Sequence, residues 1–283
     1  MTRLAFLRAA EARLQAAGVD GARRNAEWIV EEATGAPRAD LLARPRAPLA
    51  PEARARAEAM IERRAAGEPV QYVIGHADFM ELRLHVTPAV LIPRPETEEV
   101  AEAALACLAG VGRPLALDVG TGSGALALAL KHARPDATVI AADVSPEALE
   151  VAAANAERLG LDVGFVQADA LRPSFADRVP PLFDLVVSNP PYVPLAERAG
   201  LQREVRDHEP GLALFVDGDP LVFYRALAGH AERLLRPGGW LVVETHADHG
   251  AAVRDLFAES GLAEASIADD LAGRPRIARG RRA

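Results

Sequence analysis

With 283 residues, half of them hydrophobic and a quarter charged, the chain has globular composition and enough length for one large or two smaller domains, which excludes a disordered or collagen-like protein. The net charge of −8 argues against a generic phosphate-binding particle, and a single cysteine excludes an intramolecular disulfide framework and suits a reducing compartment. No apolar run approaches the roughly 18–20 residues of a membrane span, and Arg8, Glu11 and Arg13 interrupt the first apolar stretch, so a soluble cytoplasmic protein without a signal peptide is expected.

The first 66 or so residues read as helical. Leu4, Leu7 and Leu14 recur near helical spacing, Trp28, Ile29 and Val30 lie in a second helix, and Leu41 and Leu42 in a short third. Pro51 opens a fourth, with Met60 and Ile61 apolar, its Arg and Glu residues exposed, and Gly67 beyond its end. A small helical bundle is predicted over 1–68. After Pro69 the β-formers of 70–74 and 79–86 predict a β-hairpin linker over 69–90. From Leu115 onward, apolar runs at 115–119, 137–142, 163–166, 185–187 and 240–243 alternate with helical stretches near 123–133, 146–159, 219–235 and 248–259. Strands alternating with helices imply a parallel sheet covered on both faces, and segments near 263–268 and 274–279 add an antiparallel pair at its edge. The charge divides along the same line. Residues 1–75 hold 12 arginines against 10 acids, whereas 76–283 hold 20 basic residues against 30 acids.

The strand 115–119 runs into Gly120-Thr121-Gly122-Ser123-Gly124, where glycines let the backbone turn tightly and approach a ligand. Asp143 ends the second strand 23 positions after Gly120, where a carboxylate accepts the hydroxyls of a ribose. That spacing fits a nicotinamide dinucleotide and S-adenosylmethionine (SAM) equally well. Ser145-Pro146-Glu147 then reads as an N-cap, a first-turn proline and a first-turn acid. Asp169 ends the third strand and can accept from an adenine amino group, with Ala170 along the adenine face.

The fourth strand ends in Asn189-Pro190-Pro191-Tyr192. Asn189 supplies an amide oxygen, and the prolines stiffen the loop and leave the Pro190 carbonyl free to accept. Those two acceptors hold both hydrogens of a planar –NH2 group and leave its third direction facing a methyl donor. Tyr192 can pack against the substrate or its positive transition state. A dehydrogenase has no use for such a clamp, so SAM is favoured over the dinucleotide.

At these residues the chain resembles the class I SAM-dependent methyltransferases. Three further segments, Leu91-Ile92-Pro93-Arg94-Pro95-Glu96-Thr97-Glu98, Gln71-Tyr72-Val73-Ile74-Gly75 and Asp270-Leu271-Ala272-Gly273-Arg274-Pro275-Arg276, resemble the HemK/PrmC family, as does 208–225. The resemblance implies an α/β, Rossmann-like domain over 91–283 with a seven-stranded, mostly parallel sheet. It implies SAM as cofactor, S-adenosyl-L-homocysteine as product, and as substrate the Gly-Gly-Gln glutamine of class I peptide chain release factors, methylated at N5. It also implies that Arg94, Pro95, Glu96 and Thr97, just before the first helix of that domain, shape the pocket. The mildly basic helical domain is expected to dock the release factor. One departure stands out: Glu244-Thr245-His246-Ala247-Asp248-His249 replaces a Glu-x-Gly-x-x-Gln pattern.

Other residues carry less. His246 and His249 have no cysteine or third histidine beside them, so no metal is expected. Cys107 reads as a small buried residue, and Arg274, Arg276, Arg279, Arg281 and Arg282 as a solvated basic terminus. The alternative is a DNA or RNA exocyclic-amino methyltransferase, which Asn-Pro-Pro-Tyr alone permits. The acidic balance of 76–283 and the lack of a basic, aromatic-rich module oppose it, so a monomer acting on protein, with no direct nucleic acid substrate and no membrane, is expected.

Overall fold

In the computed structural model, which describes residues 1–283 apart from the side chain of Leu42, five helices open the chain. They are α1 (Arg3–Ala16), α2 (Ala22–Thr34), α3 (Arg38–Ala43), α4 (Pro51–Ala65) and α5 (Val70–Ile74). The buried stripe of α1 is Phe6, Ala10 and Leu14, one residue every four, whereas Leu4 faces solvent. Ile29, Val30, Leu41, Ala57 and Ile61 belong to the same core. Not every charge of α4 is exposed, as the sequence suggested. Arg64 is buried and donates to Asn25 Oδ1 (2.7 Å) and the Glu68 carbonyl (2.9 Å), with Glu204 2.6 Å away. A buried guanidinium needs such partners.

The segment 70–74 is a helical turn, not a strand. Extended Pro69 precedes it, Gly75 at φ 81° closes it with an N–H bond to the Gln71 carbonyl, and Val70 and Val73 share one buried face. Burial at helical spacing overrides β-branched propensity here. The hairpin therefore starts later, as β1 (His76–Phe79) and β2 (Leu82–His85), with Ala77, Phe79, Leu82 and Leu84 buried. One compact unit comprises Met1–His76 with Gln202–His208, and a second comprises Ala77–Leu201 with Glu209–Ala283.

The second unit continues with α6 (Pro95–Cys107), β3 (Leu115–Val119), α7 (Ala125–Ala133), β4 (Thr138–Asp143), α8 (Pro146–Leu159), β5 (Gly164–Gln167) and β6 (Phe183–Ser188). A two-residue strand β7 (Val193–Pro194) pairs in parallel with β8 (Phe215–Val216), and α9 (Arg203–His208) and α10 (Gly211–Leu214) lie between them in sequence. Then come α11 (Val222–Leu234), β9 (Leu235–Glu244), α12 (Gly250–Glu259), β10 (Leu262–Asp269) and β11 (Pro275–Arg282). The main sheet has seven strands in the order β10-β11-β9-β6-β3-β4-β5. The five from β9 to β5 run parallel, β11 pairs antiparallel with β9, and β10 pairs antiparallel with β11, so β11 alone runs against the other six strands. Side chains alternate between its faces: Ala116, Leu185 and Val187 pack on one core, Leu117, Val186 and Leu241 on the other.

The arginine-rich terminus is thus a strand inside the sheet. Ile277 and Ala278 are buried, Arg276 donates to the Thr245 carbonyl, and the guanidinium groups of Arg279 and Arg281 lie 5.4 and 5.6 Å from the Trp240 ring. Cys107 is half-buried, and burial pushes its thiol up from the usual range.

Candidate active site

The strand order reverses at β3. The chain goes β3, β4, β5 in one direction and then returns to place β6 on the other side of β3. Ligands bind at the carboxyl ends of strands beside such a switch point. Register completes the placement: Val119 pairs with Ser188 and Ser188 with Val243. The next residues, Gly120, Asn189 and Glu244, therefore leave three adjacent strands at one level. Ser188 Oγ donates to the Val119 carbonyl at 2.6 Å and ties the first two ends together.

A cavity of about 300 Å³ opens there. Its walls include Gly120, Thr121, Gly122, Ser123, Asp143, Asp169, Ala170, Asn189, Pro190, Pro191, Arg94 and Thr97 from the sequence reading, together with Asp118, Leu212 and Phe223. Gly124, Glu96 and Tyr192 do not line it.

The glycine loop is anchored through its backbone. Gly120 and Thr121 N–H groups donate to the Ala142 carbonyl (2.8 and 3.1 Å). Gly120 and Gly122 have φ of 73° and 54°, and open space lies where a Cβ would stand. Gly124 serves packing instead, since a Cβ would come within 3.0 Å of Leu128 and 3.3 Å of Ala152. Asp143 accepts from the Gly122 and Ser145 N–H groups (2.9 and 3.0 Å), and burial pushes its carboxyl up despite these bonds. Asp169 accepts from the Leu171 N–H (2.9 Å) and pairs with Arg172. Buried Asn155 accepts from His85 N–H (2.7 Å) and donates to the Ser123 carbonyl (2.9 Å), joining hairpin to loop.

Asp118 is a cavity residue that sequence reasoning missed. It is 1 % exposed and lines the cavity; Oδ2 accepts from Thr121 Oγ1 (2.6 Å) and Ala127 N–H (3.1 Å), and Oδ1 is buried with no hydrogen-bond partner. Burial pushes its carboxyl up to about 7, although the Thr121 and Ala127 bonds oppose this. The available signal was a lone acid within a buried apolar strand, directly before the glycine loop.

On the opposite wall, Pro95, Glu96 and Thr97 form the first turn of α6 and do not precede it; Arg94 is its N-cap. Arg94 is tethered by an ion pair to buried Glu209 (2.5 Å), which also accepts from Ile92 N–H (3.2 Å). Thr97 is buried and Glu96 exposed, so Thr97 is the inward residue of the Arg-Pro-Glu-Thr segment. Asn189 Nδ2 donates to Thr97 Oγ1 (3.0 Å), Thr97 Oγ1 donates to Glu244 Oε2 (2.6 Å), and Tyr192 OH donates to Glu244 Oε1 (3.0 Å). Tyr224 OH donates to the Glu244 carbonyl (3.1 Å). Burial pushes the Glu244 carboxyl up, opposed by its two hydroxyl donors and the nearby Arg276 charge. The Tyr192 hydroxyl is pushed up by burial and by Glu244. His246, within the departing segment, packs edge-on against the Tyr192 ring at 5.9 Å.

Residues 5–75 match the model of a PrmC N-terminal domain, and residues 115–272 that of a methyltransferase domain. A release factor glutamine methyltransferase of Moorella thermoacetica is 46 % identical over 267 residues, covering 93 % of each chain. One from Deinococcus radiodurans is 43 % identical over 278 residues, covering 98 % of each. Among solved structures, a methyltransferase from Pyrococcus furiosus has the same fold, with a TM-score of 0.50 and 19 % identity over 79 % of this chain and 96 % of that one.

Proposed function

The chain belongs to the release factor glutamine methyltransferase family, and from that premise we propose how its cleft methylates the side-chain amide nitrogen (N5) of the Gly-Gly-Gln glutamine of class I peptide chain release factors, with SAM as methyl donor. The observation that carries the assignment of roles is the strand register, which sets Gly120 and Asn189 side by side at the switch point.

The cavity suits the cofactor. Gly120 and Gly122 leave open space in front of the loop, and in this reading Asp143 accepts from the ribose, Asp169 and Ala170 meet the adenine, and the unpartnered Asp118 Oδ1 takes the cofactor's ammonium group. When bound, SAM supplies a methyl group already activated on sulfonium sulfur. An amide nitrogen is a poor nucleophile, so the protein's task is orientation. The Asn189 amide oxygen and the Pro190 carbonyl accept the two N–H bonds of the glutamine amide, aim its nitrogen, and stabilise positive charge as it grows there. Tyr192, with its hydroxyl on Glu244, stiffens the loop. Arg94, locked to Glu209, shapes the cavity wall.

The bundle of the first unit docks the release factor outside its Gly-Gly-Gln loop. The substrate is protein and not nucleic acid, in keeping with the acidic balance of 76–283. The work is done in the cytoplasm, where release factors act. A transfer assay with methyl-labelled SAM, offering a release factor and nucleic acid separately, tests this. Label is expected on the release factor glutamine; label on nucleic acid alone overturns the reading.

A further inference from the structure

An asparagine amide can present either its oxygen or its nitrogen to a cleft, and the two ends have opposite hydrogen-bonding character. For Asn189 the choice is made by buried groups behind it. Both Glu244 oxygens accept from hydroxyls, Oε1 from Tyr192 and Oε2 from Thr97 2.6 Å away, so Thr97 spends its one hydroxyl proton there. Thr97 Oγ1 can then only accept from the Asn189 side chain, whose one donor atom is Nδ2, 3.0 Å away. With its nitrogen committed, Asn189 turns its oxygen to the substrate. If the amide turned over, two acceptor oxygens, Asn189 Oδ1 and the buried Thr97 Oγ1, would face each other.

The far end of this relay is also fixed. Glu244 is 1 % exposed and Thr97 4 %. Glu244 Oε1 is held by the Tyr192 hydroxyl at 3.0 Å, and its backbone carbonyl by Tyr224 at 3.1 Å. Strand register sets Glu244 beside Asn189, and Thr97 reaches both from the first turn of α6.

We propose that Thr97 and Glu244 are positioning residues that set the polarity of Asn189, so that the cleft takes an N–H donor and refuses a carboxylate. The inference rests on the methyl-transfer reading above and extends it to substrate choice: glutamine over glutamate at the methylated position. A carboxylate has acceptors only, and both groups that would meet it, the Asn189 oxygen and the Pro190 carbonyl, are acceptors too.

The test uses the full chain with SAM and two substrates, a release factor and its Gly-Gly-Glu variant. Thr97→Val keeps the volume and removes the relay. It should lower kcat about 10–100-fold, the usual size of a lost supporting contact. SAM binding by calorimetry should stay within about twofold. The preference in binding for the glutamine factor over the glutamate one should shrink about tenfold, because the freed amide can present its nitrogen. Thr97→Ser should restore rate and preference. If Thr97→Val does not fold, Thr97→Val with Glu244→Gln removes the unpaired buried charge and should show the same losses. Wild-type kcat and preference in either valine variant, or a serine variant as impaired as valine, overturns the relay. Wild-type protein that transfers no methyl group to the release factor overturns the underlying reading instead.

Discussion

On the cofactor side of the cleft, Asp143 is held by backbone N–H groups of Gly122 and Ser145, and the glycine loop hangs from the Ala142 carbonyl. On the substrate side, Asn189 is held by the side chain of Thr97, which in turn rests on the side chain of Glu244. The two walls stand on adjacent strands, yet the acid of one is fixed by nearby main chain and the amide of the other by side chains, in links that span 92 and 147 positions. Main-chain anchors survive substitution of the residue that supplies them. Side-chain anchors do not. The cofactor wall should therefore tolerate change except at the carboxylates and the positive-φ glycines, and the clamp should fail at several buried positions.

The largest departure from that tolerance is expected at Asp118, a cofactor-wall acid folded into a dry strand. Its carboxyl is pushed up to about 7 against an ordinary 3.8, so between these values the folded chain keeps a proton that the unfolded chain has released. Stability from this group is thus present at low pH and lost as pH rises from about 4 to about 7, by roughly 4 kcal/mol in all. Asp118→Asn keeps an acceptor for Thr121 and Ala127 and removes the titration. Denaturant unfolding between pH 4 and 8 should show the wild type losing stability relative to the variant across that window; parallel profiles would defeat the assignment.

At the clamp, Asn189→Ala removes one of two proposed acceptors. Loss of one preorganised partner of developing charge costs about 10²–10³-fold in kcat, roughly 3 kcal/mol. Single-turnover methylation should fall by that factor while SAM binding is kept. Near-normal turnover on the glutamine substrate would remove Asn189 from the chemistry.

The same contrast explains what the sequence made legible. The glycine loop, Asp143 and Asn-Pro-Pro-Tyr are short local patterns whose chemistry follows from adjacent residue types, and all but Tyr192 and Gly124 line the cavity. The alternation of strands and helices after Leu115 was likewise legible, because the central strands bury mostly apolar residues. The role of Thr97 as the inward residue, and of Glu244 as its anchor, depends on register between strands, which no local pattern encodes. The helical turn at Val70–Ile74 was hidden for a related reason. Its β-branched residues favour a strand, and only the bundle core that Val70 and Val73 enter reverses that preference. The grouping of 202–208 with the first unit has no trace in the sequence, since its anchor Arg64 lies far upstream.

The smallest effect sharpens the comparison most. Ser145 contributes two separate things at the head of α8: its Oγ accepts from Ala148 N–H at 3.1 Å, and its own N–H donates to Asp143 at 3.0 Å. Ser145→Ala deletes the first and leaves the second. Loss of the cap should cost about 1 kcal/mol, a fall in Tm of roughly 2–4 °C. The affinity for SAM should change less than about twofold, because a backbone donor still aims the carboxylate. Removal of a single hydroxyl is thus expected to lower stability and spare function at Ser145, and to spare cofactor binding and lower turnover at Thr97. A Ser145→Ala protein with SAM affinity reduced tenfold would mean that the cofactor wall also depends on its side chains, and the distinction between the two walls would fall.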